Sequence, residues 1–118
     1  MNLEQITCEI KTCHKNGERV VRLHTGDPSF YGAIFEQMNE LDRHGIPYEV
    51  IPGVTAAFAA SAAMNMEYTL PEVTQTLILT RISGRTPVPD TERLESLAAH
   101  QASMVIYLSM AHVEKVQA

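Results

Sequence analysis

Positive charge is in short supply in this 118-residue sequence: nine Lys+Arg stand against fourteen Asp+Glu, a formal charge of −5. The cations are also scattered, so no basic stripe exists to follow a polyphosphate backbone, and nucleic acid is excluded as an expected partner. No apolar run reaches the ~20 residues of a membrane span. The first residues, "MNLEQITCEIKTC", carry acids and polar groups where a signal peptide would be apolar. A cytoplasmic setting without a membrane partner is therefore expected. Cysteine is limited to Cys8 and Cys13, which lie about 140° apart around a helix axis and are poorly placed to share one metal. The five histidines (His14, His24, His44, His100, His112) show no H-x-x-x-H spacing, so no metal site is expected and the thiols read as reduced and structural. Neither G-x-G-x-x-G nor G-x-x-x-x-G-K occurs, which removes the two commonest phosphate cradles.

What is present is apolar and alternating. Apolar residues make up 45% of the chain, enough for a sizeable core. Leu3, Ile6, Ile10 and Cys13 form one helical stripe over 2–14, with Asn2 and Gln5 spaced as a capping box and Asn16-Gly17 as a stop. "ERVVRLH" predicts a strand, Ile34, Met38 and Leu41 predict a helix ending at Gly45, and "PYEVI" predicts a second strand. "VTAAFAASAAM" predicts a helix of small residues pressed against a sheet on one side and another element on the other. "VTQTLILTR" is β-branched and predicts a buried strand. After the loop "SGRTPVPD", Asp90 or Thr91 is placed to cap a helix to about Ala99, and "SMVIYLS" predicts a last strand before a short terminal helix. Strands alternating with helices predict an α/β fold with a mostly parallel sheet and right-handed crossovers. The expected division is 1–72 and 73–118.

Two strand ends attract chemistry. In "VVRLHTGDPSFYG" the apolar run breaks on Gly26-Asp27-Pro28, and in "YEVIPGVTAAF" it breaks on Pro52-Gly53 before Thr55. Pro28 suits a first helical position, Asp27 before it can cap free N–H groups, and Gly26 permits a tight turn or close backbone approach. Open α/β sheets bind ligands at such carboxyl ends of strands. A carboxylate there repels phosphate and favours a cationic ligand such as S-adenosylmethionine, with its ammonium and sulfonium. From the residues alone, a helix cap and a ligand site both remain open; the same holds for Thr55.

The stretches "VVRLHTGDPSFYGA", "GIPYEVIPGVTAAFAASAA", "YTLPEVTQTLILTR" and "GRTPVP" resemble successive motifs of the tetrapyrrole (corrin/porphyrin) methyltransferases. The last two are most similar to the precorrin-4 and cobalt-precorrin-4 C11-methyltransferase branch. The resemblance implies a two-domain α/β enzyme that uses S-adenosylmethionine to methylate C11 of a tetrapyrrole in cobalamin biosynthesis, as a homodimer. It implies cofactor contacts at Thr25, Gly26, Asp27, Phe30, Thr55, Ala56 and Leu108. Arg81 and Arg85 are candidates for the substrate's carboxylates, with Tyr31 and Tyr107 against its ring. No catalytic side chain is identified. Members of the family carry a first strand and glycine-rich loop, and later strands, that do not occur here, so the sequence is expected to be an internal fragment with little activity alone.

Overall fold

The computed structural model describes residues 1–117, and the chain divides into two compact units, Met1–Ala59 and Ala60–Ala118.

In the first unit, α1 (Leu3–Lys15) begins as its sequence dictates. The Gln5 amide donates to the Asn2 side chain and the Asn2 amide to the Gln5 side chain, both at 2.9 Å, which closes the capping box. Gly17, at φ 75°, takes the left-handed conformation that ends the helix. α2 (Phe35–Arg43) packs against α1. Leu41 and Ile46 are buried, as is Thr7, whose hydroxyl satisfies itself on the Leu3 carbonyl at 2.9 Å. α3 (Ala56–Ala63) starts directly after Thr55, whose carbonyl accepts from the Ala59 amide at 3.1 Å.

Three expectations for this unit are corrected. "ERVVRLH" and "PYEVI" form no strand. Among the described residues no backbone hydrogen bond joins 19–24 or 47–51 to a neighbour, and a strand exists only through its ladder. Both segments instead line one groove of about 870 Å³. Pro28 does not open a helix: the turn after it stops because Tyr31 (φ 55°) and Ala33 (φ 50°) are left-handed, which no right-handed helix can incorporate. α3, finally, is not enclosed on two sides. Only Ala57 is buried, and Phe58 is half exposed.

The second unit is a β-α-β arrangement. β1 (Leu77–Arg81) and β2 (Ser103–Tyr107) pair in parallel, from Leu77 opposite Ser103 to Arg81 opposite Tyr107. The parallel sheet and the alternation of helix and strand give the predicted α/β class. The predicted helix over 90–99 is divided into a 3₁₀ turn, Asp90–Glu92, and α4 (Leu94–Ala98), because Arg93 between them is extended at ψ 142°. Buried Thr80 and Ser109 are the inward polar groups here. Ser109 donates to the Tyr107 carbonyl at 2.7 Å and accepts from the Ile82 amide at 3.5 Å, tying the end of β2 to the end of β1. A short α5 (Val113–Gln117) closes the described chain.

Candidate functional site

Gly26 sits at φ 74°, a conformation costly for any residue with a Cβ. The turn this allows brings the loop onto the second glycine turn: Gly26 lies beside the Val54 carbonyl and the Thr55 Cα. Gly53 is glycine for a different reason. A Cβ there would come within 3.0 Å of the Gly26 carbonyl oxygen, closer than real Cβ atoms approach. The two turns are thus in backbone contact, each permitting the approach of the other.

Asp27 joins them. Its Oδ2 accepts from the Gly53 amide at 3.0 Å, and its Oδ1 accepts from the Ser29 amide at 2.8 Å. These two donors, Gly53 foremost, hold its carboxyl below the usual carboxylate range. The site therefore keeps a full negative charge at neutral pH. Asp27 caps a turn rather than a helix, since α2 begins only at Phe35. Next to it the rings of Phe30 and Tyr31 lie 4.3 Å apart, tilted by 47°. Ala56 opens α3 and is exposed.

The remaining predicted site residues belong to the second unit. Arg81 ends β1 and lines a cavity of about 600 Å³ with Ser83, Arg93 and Lys115. Its guanidinium donates to the Thr86 and Pro87 carbonyls at 2.9 and 3.1 Å, so it braces the "SGRTPVP" loop. Arg85 is exposed on that loop. Tyr107 ends β2, and Leu108 follows it at φ 56° with its side chain 76% exposed. A leucine in left-handed backbone and in water is held against two preferences at once.

Sequence reasoning missed Ser29 and Gly53 as partners of Asp27. The Asp27–Gly53 bond spans 26 residues, and no local pattern reveals it; the only trace is a glycine where the backbone has no need of positive φ. Among the described residues no cluster of His, Cys, Asp or Glu could hold a metal ion, and no helix is long and apolar enough to cross a membrane.

The whole sequence, residues 1–118, matches the family model of the tetrapyrrole (corrin/porphyrin) methylases. The chain belongs to that family. It is 53% identical over 116 residues to the cobalt-precorrin-4 C(11)-methyltransferase of Methanocaldococcus jannaschii, a match covering 98% of this chain and 45% of the relative. It is 51% identical over 116 residues to the precorrin-4 C(11)-methyltransferase of Pseudomonas aeruginosa, covering 98% and 46%. An X-ray structure of a cobalt precorrin-4 methyltransferase, described as a cobalamin biosynthetic enzyme, superposes with a TM-score of 0.94 at 49% identity, covering 98% of this chain and 48% of the other. The tetrapyrrole methylase chain thus spans about half the length of the relatives it matches.

Proposed function

We propose that this tetrapyrrole methylase segment contributes the S-adenosylmethionine-binding part of an enzyme that methylates C11 of precorrin-4 or cobalt-precorrin-4 in cobalamin biosynthesis. The observation that carries the reading is the joined pair of glycine turns with one ionised carboxylate between them. S-adenosylmethionine supplies a methyl group on a sulfonium. The residues present fit it: a glycine-built backbone admits close approach of the cofactor, and a carboxylate tied into the turns makes them a place where phosphate would be repelled. Thr25, Gly26, Asp27 and Phe30 contribute one turn, and Thr55 and Ala56 the other. The chemistry asks the protein chiefly for alignment and exclusion of water.

On the substrate side, Arg85 stands free on its loop to meet a macrocycle carboxylate, while Arg81 shapes the loop that presents it. Tyr31 and Tyr107 supply flat apolar faces for the ring. The functional form is a cytoplasmic oligomer, a homodimer at full length, with 73–118 the beginning of a second domain. The names of the relatives and the match over 98% of the chain support the substrate class.

Calorimetric titration of S-adenosylmethionine tests the cofactor reading. Ala56→Leu places a branched side chain at the exposed start of α3 and should abolish saturable binding without unfolding the first unit. Unchanged affinity in that variant would remove the second turn from the site.

A further inference from the structure

Asp27 was expected to act on a ligand, yet each of its carboxylate oxygens already holds a backbone amide. We propose that Asp27 is a positioning residue: its carboxylate sets the spacing and register of the Gly26 and Gly53 turns, and it governs ligand affinity through the Gly53 backbone instead of through its own contact with the ligand. The inference deepens the cofactor reading and rests on it only for the affinity measurement below.

Three features combine to make the brace specific. The Asp27–Gly53 bond links two turns 26 residues apart at 3.0 Å. The Asp27–Ser29 bond fixes the carboxylate plane, so the second oxygen is aimed and cannot swing away. The space between the turns is already filled by backbone, because position 53 has no room for a Cβ beside the Gly26 carbonyl. A carboxylate suits two converging N–H donors because it is all acceptor. An asparagine offers one acceptor and one NH₂, and the NH₂ would face one of the amides donor to donor. Asp27→Asn is therefore not a neutral replacement even for a purely structural role.

The first measurement needs no ligand. In ¹⁵N-labelled wild-type chain taken down in pH, the Gly53 and Ser29 amide protons should shift together through one shared midpoint, lower than the ~3.9 of an unperturbed aspartate. Neither should titrate in Asp27→Asn. A Gly53 amide that stays flat while Ser29 moves would overturn the brace. The second measurement compares S-adenosylmethionine affinity in Asp27→Asn, Gly53→Ala and the double variant. Action through one shared element predicts that the double loses no more than the worse single, whereas independent ligand contact predicts that the two fold-losses multiply. Multiplied losses would overturn the positioning role and return Asp27 to the ligand. If the wild type takes up no S-adenosylmethionine, the cofactor reading falls, and the amide titration alone decides the brace.

Discussion

At the scale of single residues, a hydrogen bond that favours one protonation state makes stability depend on pH. The Asp27 carboxyl is held down by the Gly53 and Ser29 amides, so its folded value lies below its unfolded one. Such a group stabilises the fold fully above its unfolded value of ~3.9, and that contribution is lost as pH falls through the lower folded value. Wild type should therefore lose part of its thermal stability below about pH 4, and Asp27→Asn should lack that component; identical acid profiles would mean the bonds contribute nothing. Cys13 moves the other way. Desolvation, and then Glu18 beside it, push its thiol up, while Cys8 is exposed. Because the thiolate is the reactive form, Cys8 should alkylate with iodoacetamide at pH 8 several-fold faster than Cys13, as read by peptide mass spectrometry. The two thiols thus occupy different environments, one exposed and one partly desolvated.

Among elements, what the sequence made legible was whatever depends on neighbours a few residues away. The Asn2/Gln5 capping box and the stops at Gly17 and Gly45 are local signals that act where they are predicted, while the run "VTQTLILTR", read as a buried strand over 73–81, forms its strand only over 77–81, where Thr80 alone is buried. The misread elements depended on distant partners. "ERVVRLH" and "PYEVI" have strand composition but no ladder, and the alanine-rich α3 has the small side chains for close packing yet buries only Ala57. The site was legible in the same proportion: both glycine turns could be read, but not the bond that joins them. Hydrogen exchange separates the two kinds of strand. Amides of 77–81 and 103–107 should be protected by their parallel pairing, and those of 19–24 and 47–51 should exchange near intrinsic rates; protection of the latter segments would show that they are laddered in solution. Within the glycine turns, Gly53→Ala should destabilise the first unit, whereas Gly84→Ala, with open space around it, should stay within about 0.5 kcal/mol of wild type in urea melts.

The molecule as a whole exposes more surface than its mass warrants. Its accessible area is 9238 Å², against about 6,400 Å² for a typical monomer of its mass and about 7,700 Å² even if the two units are counted as separate bodies. The excess exceeds the ~800 Å² per partner of a standard interface, and Val21, Leu23, Ile51 and Val54 in the first unit are each more than half exposed. Self-association should follow, with dimers or larger species in sedimentation velocity at micromolar concentration; a monomer at all concentrations would show that this surface stays in water. Amide shift mapping with S-adenosylmethionine reports directly on the joined glycine turns. The largest perturbations should fall on Thr25 to Asp27 and Gly53 to Ala56, growing to saturation as the cofactor is added. Perturbations confined to the cavity around Arg81 and Lys115, or none at saturating cofactor, would contradict the account.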